Sequence, residues 1–412
     1  MKKRITAITL LLLFLTASQQ MVNGQSRIKE NFDFDWQFHL GDDTNAMKPD
    51  FKPSGWIWEE IQVPHDWSIK QSFDRSIGGA AGYLPGGIGL YRKEFNIPSS
   101  YKGKNVSIIF DGIYHQATIY VNGKEIGYHR YGYTSFTYDL TPYLNYGRKN
   151  VLFVRVDRQE VSRWYTGSGI YRHVWLQVTD PVHVAPWGTY VTTPSVSEQA
   201  ADINIVTTVV NNSNKDSDLQ IVQTLLDGNR KSVKIGSKKV ESINRITIKA
   251  NDTIDISQAL KISNPNLWSL DTPNRYFMET TIRSGNKTVD TYVTPFGIRY
   301  FKFDKDKGFF LNGNHIKLKG VNLHQDAGVL GVAVPDRSVE RRLQMLKEFG
   351  CNAIRSSHNP PSPAFLEMCD TLGFFVIDEA FDKWKSGYYE KFFDVSWEKD
   401  MRDMIVRDRN HP

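Results

Sequence analysis

The period of the apolar residues changes once along this 412-residue chain, and the change limits the folds that it can adopt. From Ile28 to Ile298, apolar and polar residues alternate with a period of two, which is typical of strands with one buried face. After position 298, short apolar runs alternate with stretches of helical period. The sequence therefore predicts a multidomain protein in which two all-β units precede a unit of alternating strands and helices.

The first unit, residues 26–180, is predicted to be a β-sandwich of the jelly-roll type. Its segment NVSIIFDGIYHQATIYVNGKEIGYH alternates around Asn122-Gly123, a dipeptide that favours the positive φ angles of a tight hairpin turn. The glycine-rich segment SIGGAAGYLPGGIGLYR lacks a full G-x-G-x-x-G pattern and precedes predicted strands. This context argues against a phosphate-binding loop.

Residues 181–298 are predicted to form an immunoglobulin-like β-sandwich. Short strands, such as those in ADINIVTTVV and RYFMETTIRSG, are separated by Asn, Ser, Asp and Gly, and the length of the segment suits that fold. Because the segment has no cluster of chemically active residues, we expect it to be a spacer that fixes the geometry of its neighbours.

Residues 299–412 are predicted to form an incomplete (β/α)₈ TIM barrel, since strand and helix alternate three times and so imply a parallel sheet. Asp336 is the predicted N-cap of the first helix. Ser362 is the predicted N-cap of the second helix, which Gly373 ends. In the third helix, the spacing of Trp397, Met401, Met404 and Ile405 predicts that they share one face.

The amino terminus, residues 1–24, has the features of a signal peptide. Basic residues at positions 2 to 4 precede an apolar run from Ile8 to Leu15, which is too short to cross a hydrocarbon core of ~30 Å as a lasting helix. Cleavage is expected near Gly24. Because no later stretch is apolar enough to span a bilayer, we expect an exported protein without a membrane span, either periplasmic or secreted.

The charge of the chain argues against a nucleic-acid partner. The net charge is +6, but the 51 basic and 45 acidic residues are interspersed and do not form a basic stripe. We therefore expect no binding to nucleic acid.

Polar side chains follow each of the three predicted strands of the last unit, immediately before the loop into a helix. In a (β/α)₈ barrel the loops after the strands open to one face, where the active site lies. Three successive strands with polar ends therefore indicate a functional site at that rim. The residues are Asn322, His324, Arg355, His358, Asp378 and Glu379.

Asp378 and Glu379 are adjacent, but the sequence argues against their acting on one bond. Consecutive strand residues point to opposite faces, whereas two catalytic carboxyl groups must converge to within about 10 Å on the same bond. At most one of them therefore faces the pocket. We expect the other to hold a helix cap or a neighbouring loop.

At these positions the chain resembles a known enzyme family. GVNLHQD and AIRSSHNPPSPAFLEMCDTLGFFVIDEAFDKW, with FDGIYHQATIYVNGKEIG and SRWYTGSGIYRHVWL in the first unit, are similar to segments of the β-galactosidase and β-glucuronidase members of glycoside hydrolase family 2. The resemblance covers nearly all of the chain after the signal peptide. It implies retaining hydrolysis of β-glycosides by two glutamates, without an organic cofactor.

The resemblance also implies roles for the residues at the strand ends. Trp384 is a candidate aromatic wall on which the apolar face of a sugar stacks. Asp378 and Glu379 are implied to be framework groups behind the pocket. The residues implied to line the pocket and bond to sugar hydroxyls are Asn322, His324, Arg355 and His358.

Neither catalytic glutamate of the family is matched within this sequence. In the family, the acid/base glutamate follows the fourth barrel strand, soon after a segment resembling RDRNHP, and the nucleophile comes several strands later. We therefore expect both glutamates beyond Pro412. On that expectation this chain is inactive alone, whether it is truncated, completed by a complementing chain or part of a homo-oligomer.

Several alternatives stay open. The chain could be a non-catalytic carbohydrate-binding protein, or its specificity could be for β-glucuronides or β-mannosides; the expected ligand is in each case a β-linked oligosaccharide or polysaccharide. His324 and His358 lack the short spacing of a zinc site. The resemblance implies a magnesium or sodium ion near the active site, but its ligands are not matched here.

Overall fold

The computed structural model describes residues 26–52, 58–159, 164–385 and 390–412. The predicted signal peptide lies outside these ranges. Over the described residues the chain forms two β-sandwiches followed by a strand–helix unit, which confirms the predicted fold class. No helix in this part of the chain is both long enough and apolar enough to cross a lipid bilayer.

The first unit is a sandwich of two antiparallel sheets. Its strands in the described residues are β1 (Arg27–Asn31), β2 (Trp36–Leu40), β3 (Glu59–Ile61), β4 (Gly87–Asn96), β5 (Asn105–Phe110), β6 (Ala117–Val121), β7 (Lys124–His129), β8 (Phe136–Asp139), β9 (Lys149–Arg158) and β10 (Val174–Thr179). One sheet has the strand order β1-β10-β5-β8, and the other has the order β3-β2-β4-β9-β6-β7.

The core of this sandwich follows from the period of two. In β9, Leu152, Val154 and Val156 occupy alternate positions and are all fully buried in one cluster with side chains of the facing sheet. The predicted hairpin joins β6 and β7, and Asn122 and Gly123 adopt φ angles of 50° and 80°. These positive values confirm the turn that the dipeptide predicts.

The second unit is a smaller sandwich, as predicted for an immunoglobulin-like fold. Its strands are β11 (Val182–Val196), β12 (Ala200–Asn211), β13 (Ser217–Leu226), β14 (Lys234–Ile235), β15 (Lys238–Lys239), β16 (Glu241–Ile248), β17 (Asp252–Ser263), β18 (Tyr276–Ser284) and β19 (Lys287–Phe296). The sheets have the orders β11-β12-β17 and β16-β13-β18-β19, and β14 pairs with β15. Ile205, Leu225 and Met278 are fully buried between the sheets.

The third unit contains the alternating strands and helices. An antiparallel sheet of β20 (Phe301–Asp304), β21 (Gly308–Leu311) and β22 (Asn314–Ile316) precedes it. A parallel sheet follows, formed by β23 (Gly320–Leu323), β24 (Ala353–Ser356) and β25 (Phe375–Ile377). The helices are α1 (Asp336–Glu348), α2 (Pro363–Leu372) and α3 (Phe393–Asp408).

Local signals set the ends of α2 as predicted. The hydroxyl of Ser362 accepts a hydrogen bond from the amide of Phe365 at 3.2 Å, and Pro363 opens the helix, where its missing N–H has no cost. Gly373 ends the helix at a φ angle of 73°.

The predicted cap of α1 is wrong. Pro335 occupies the N-cap position, and Asp336 is the first helical residue. The Asp336 carboxylate instead lies 3.2 Å from Nε2 of His173, which belongs to the jelly roll. The Asp336 side chain, which could have capped the helix, therefore contacts a residue distant in the sequence instead.

The apolar face predicted for α3 is covered only in part: Met401 packs against the cluster that contains Phe393, but two other members are exposed. The side chains of Trp397 and Ile405 are 39% and 50% exposed. The buried positions are Phe393, Asp400 and Arg407, spaced seven residues apart. Tertiary contacts to Phe393 and Arg407 thus decide which face is covered.

The two faces of the parallel sheet have different surroundings. Ile354 is buried against α1 and α2, in a cluster with Leu343 and Cys369. Asn322 pairs in register with Arg355 on the opposite face. Polar residues at the strand ends thus continue a face that is not covered by these helices.

The jelly roll packs against the strand ends of the third unit. The guanidinium of Arg172 donates to the carbonyl of Pro360 at 2.8 Å, and the amide of Asn359 donates to the Tyr131 hydroxyl at 2.8 Å. The Tyr131 hydroxyl in turn bonds to the carbonyl of Ala380. These contacts fix the loops after β24 and β25 relative to the first domain.

Candidate functional site

Three polar side chains converge where β24 and β25 end. One carboxylate oxygen of Glu379 bonds to Nε of Arg355, and the other lies 3.0 Å from Nδ1 of His358. Nδ1 of His358 is also 3.2 Å from Nη2 of Arg355. The three groups therefore form one triangle of mutual contacts.

A serine hydroxyl supports this triangle from behind. Ser356 donates to the carbonyl of Ile377 at 3.1 Å and accepts from the amide of Glu379 at 3.2 Å. The hydroxyl thus joins the end of β24 to the end of β25. The side chains in front remain accessible, with Arg355 40% exposed.

His324 extends the group along the end of β23. Its ring centroid lies 5.4 Å from that of His358, with the ring planes nearly perpendicular. The indole of Trp164 contacts both imidazoles, at 5.3 Å from His324 and 5.6 Å from His358. An aromatic ring of the jelly roll therefore forms one wall beside the barrel residues.

The structure places the other two implied pocket residues differently. Asn322 is exposed and is the register partner of Arg355 across the sheet, so it borders the triangle. Trp384 lies on the loop after β25, is 61% exposed and stacks on Phe393 at 6.1 Å. The ring observed against the two histidines is that of Trp164.

Asp378 faces away from this group. Its carboxyl group is buried beside Asp408, which in turn forms a bidentate pair with Arg407. Burial, reinforced by the negative charge of Asp408, raises the pKa of Asp378 to about 8. Glu379 and Asp378 have different partners, as the sequence predicts, although both residues lie just after β25, which ends at Ile377, and not within the predicted strand.

The arrangement favours binding and orientation of a polar ligand. Arg355, His324 and His358 offer donors on one side, and Trp164 offers an apolar ring on another, the combination that sugar hydroxyls and apolar sugar faces require. The carboxylate oxygens of Glu379 contact Arg355 and His358, and its backbone amide donates to the Ser356 hydroxyl. Glu379 thus orients the donors, and Asp378 is directed elsewhere.

A cavity of about 90 Å³ lies between the jelly roll and helices α1 and α2. Trp164 and His324 contribute to its wall, together with Arg172, Val339 and Phe365. The cavity therefore extends from the histidine group into the junction of the two domains.

No candidate metal site is found among the residues that the structure describes. These residues contain no group of three or more His, Cys, Asp and Glu side chains placed to hold a metal ion. The expected magnesium or sodium ion thus has no assigned ligands.

Trp164 is the site residue that reasoning from the sequence missed. It lies 160 positions before His324 in a loop after β9, and the period-two pattern that identified the strands says nothing about where such a loop goes. The aromatic and glycine residues of RWYTGSG were a local signal of an unusual loop, but not of its partner.

Three family models match the chain in sequence order. Residues 29–181 match the sugar binding domain of glycosyl hydrolases family 2, and residues 182–299 match the model described as glycosyl hydrolases family 2. Residues 304–412 match the TIM barrel domain of the same family.

Individual proteins agree with this match. The chain is 45% identical over 394 residues to a β-galactosidase of Bacteroides ovatus and 32% identical over 427 residues to a β-glucuronidase of Formosa agariphila. These alignments cover 94% and 95% of this chain but 45% and 42% of those proteins, so the chain spans less than half of their length. A solved structure of a family 2 member from Bacteroides cellulosilyticus gives a TM-score of 0.88 at 38% identity, covering 93% of this chain and 50% of that one.

Proposed function

The chain belongs to glycoside hydrolase family 2, and from this premise we propose that it serves the hydrolysis of terminal β-glycosidic bonds in carbohydrates, with β-galactosides as substrates. The observation that carries the proposal is the triangle of Arg355, His358 and Glu379 beside the Trp164 ring. It combines donors for sugar hydroxyls with a surface for an apolar sugar face.

The residues in hand bind and orient the sugar. Retaining hydrolysis needs two carboxyl groups about 5–5.5 Å apart that converge on one bond. Glu379 is engaged with Arg355 and His358, and Asp378 turns toward Asp408, so this pair does not meet the requirement. We therefore assign positioning to Glu379, a buried structural role to Asp378, and bond cleavage to neither.

The charge balance of the site favours a neutral sugar over a uronate. A uronic acid carries a carboxylate that calls for a cation, and bidentate arginine is the strongest partner for such a group. In the described part of the site, Arg355 already pairs with Glu379. A galactoside needs only hydroxyl contacts and is therefore the better match.

The test is calorimetric titration of galactose and of glucuronate into the purified protein, followed by assays with a chromogenic β-galactoside and β-glucuronide. We expect galactose to bind more tightly than glucuronate, and His358→Ala to abolish the heat of binding. His315→Ala, an exposed histidine on β22, is the matched control and should bind as the original protein does. Tighter binding of glucuronate would overturn the substrate class, and the absence of binding to either sugar by folded protein would overturn the proposal.

We also propose that the protein is exported, because residues 1–24 combine a basic start with a short apolar run. The measurement is amino-terminal sequencing of the protein recovered from the periplasm and from the medium. Recovery of uncleaved protein from the cytoplasm alone would contradict export.

A further inference from the structure

The carboxyl group of Asp66 lies at the junction of the jelly roll and the barrel unit, and the side chain is almost completely buried. One oxygen accepts hydrogen bonds from the backbone amides of Ser68 and Ser168, both at 3.1 Å. The other accepts from the hydroxyl of Tyr165 at 2.6 Å and from the amide of Val332 at 3.0 Å. One carboxylate therefore joins three segments that are distant in the sequence.

Two glycines close the space around this carboxylate. A Cβ at Gly167 would lie 2.9 Å from Oδ2 of Asp66, and a Cβ at Gly331 would lie 2.3 Å from the same atom. Both glycines have positive φ angles, 69° and 58°, which other residues rarely adopt. The loops are therefore shaped to approach this carboxylate.

Burial of an ionised carboxylate is unfavourable unless its lone pairs are satisfied. All four partners of Asp66 are donors, so the group is matched as an acceptor on every side. An amide at this position could accept at one atom only, and its NH₂ would face donors. The site thus selects a carboxylate and not merely a side chain of that size.

The segments that Asp66 joins carry Trp164 on one side and His324 on the other, whose rings are in contact. Tyr165 and Ser168 lie in the same loop after β9 as Trp164, and Val332 lies in the loop that follows His324. A second link runs in parallel, because the amide of Gln325 donates to the carbonyl of Thr166 at 3.3 Å. Fixing these loops to each other fixes the indole against the imidazoles.

We propose that Asp66 is a positioning residue of the sugar site, which locks the Trp164 loop of the jelly roll to the loop between His324 and α1 and so makes the jelly roll part of the sugar pocket. The proposal rests on the proposed function for its ligand. The coupling of the two loops rests on geometry alone.

The first test replaces one donor and leaves the carboxylate in place. Tyr165→Phe removes the shortest of the four bonds, and we expect it to weaken galactose binding by about tenfold, as for loss of one hydrogen bond to a charged group. The thermal midpoint should fall by only a few degrees, because the buried carboxylate loses one donor but keeps three and the ring still packs. Tyr128→Phe is the matched control: its hydroxyl bonds to Gln116 on the exposed edge of the jelly roll, and its affinity should equal that of the original protein.

A double-mutant cycle then separates positioning from general stabilisation. If Tyr165 acts through the indole, Trp164→Ala and the double variant Trp164→Ala/Tyr165→Phe should bind galactose equally weakly. Additive losses, or a lower thermal midpoint for Tyr165→Phe without loss of affinity, would overturn the proposal.

A readout without sugar distinguishes this inference from the proposed function. The difference in tryptophan fluorescence between each protein and its Trp164→Phe counterpart isolates the emission of Trp164. Asp66→Asn should make that emission several times more accessible to iodide quenching, and Tyr128→Phe should leave it unchanged. Unchanged quenching in Asp66→Asn would refute the coupling even if sugar binds, and increased quenching would support it even if no sugar does.

Discussion

Oε2 of Glu379 lies 3.0 Å from Nδ1 of His358, so the end of β25 fixes the imidazole that follows β24. Arg355 bonds to the other oxygen of the same carboxylate. The carboxylate therefore sets the orientation of two donors at once, and its charge is part of that role.

Glu379→Gln tests this relationship. The amide keeps the size of the side chain but loses the charge and one acceptor, so Arg355 and His358 lose their common partner. Because these side chains are partly exposed, we expect the free energy of unfolding to fall by only about 1 kcal/mol. Sugar affinity should fall more strongly. Denaturant unfolding and calorimetry measure the two effects, with Glu398→Gln on the exposed side of α3 as the control; equal affinity in both variants would contradict the assignment.

We predict different changes in sugar affinity when the two tryptophans near the strand ends are replaced. Trp164→Ala removes the ring that contacts His324 and His358 and should weaken sugar binding by about tenfold, as expected for loss of an aromatic contact. Trp384→Ala removes a ring that is 61% exposed and stacked on Phe393, and its affinity should change less than twofold. Calorimetric titration of both variants measures these affinities. A larger loss of affinity in Trp384→Ala would support Trp384, and not Trp164, as the aromatic wall of the sugar site.

The buried carboxyl group of Asp378 predicts a dependence of stability on pH. Its folded pKa of about 8 is above the ordinary value, so between about pH 4 and 8 the folded state retains a proton that the unfolded state has lost. The contribution of this group to stability therefore declines as the pH rises through that window. Asp378→Asn should unfold near the midpoint of the original protein at pH 5 and several degrees above it at pH 9, because the amide cannot ionise beside Asp408.

Thermal unfolding at pH 5, 7 and 9 checks this sign. Asp306→Asn, at an exposed turn, provides the control and should follow the original protein at each pH. A midpoint for Asp378→Asn that falls relative to the original protein as the pH rises would contradict the predicted direction.

The raised pKa of His173, at the domain junction, predicts a decline of stability in the same direction but over a higher pH range. Its two ring nitrogens lie 2.6 Å from Asp33 and 3.2 Å from Asp336, and these bonds raise the pKa of His173 to about 10. The stabilisation is therefore complete below the unfolded pKa of about 6.5 and is lost as the pH rises through 10. His173→Ala should lower the free energy of unfolding by about 1 kcal/mol at pH 6, allowing for solvent screening at the exposed Asp336, and by much less at pH 10.5.

Denaturant unfolding at the two pH values measures this difference. His315→Ala removes an exposed imidazole and should show the same small effect at both. A deficit for His173→Ala that does not shrink with rising pH would show that packing, and not charge, explains the contact.

Short-range features of the fold were predictable from the sequence. Asn122-Gly123, Ser362 and Gly373 act through their own backbone or through a partner three residues away, so the local sequence contains the whole interaction. The polar strand ends were predictable for a similar reason, since the strand–helix alternation fixes which residues meet at a rim.

Features that depend on distant partners were not predictable in this way. Asp336 looked like a helix cap, but His173 competes for its carboxylate from 163 positions away. In α3, Arg407 is buried while part of the apolar face stays exposed. The guanidinium of Arg407 donates to the carbonyl of Pro361 at 2.8 Å and to Ser135 at 3.1 Å. Hydrogen bonds to partners distant in the sequence, which leave no periodic trace, decided both outcomes.

The divergence of Asp378 and Glu379 restricts how β25 can vary in length. Insertion or deletion of one residue before this pair would exchange their directions, presenting the shorter carboxylate to Arg355 and forcing the longer one into the buried space beside Asp408. A change of two residues would restore these directions but would move the pair by about 6.6 Å along the backbone, away from both sets of partners. The length of this segment is then itself a constraint on its evolution.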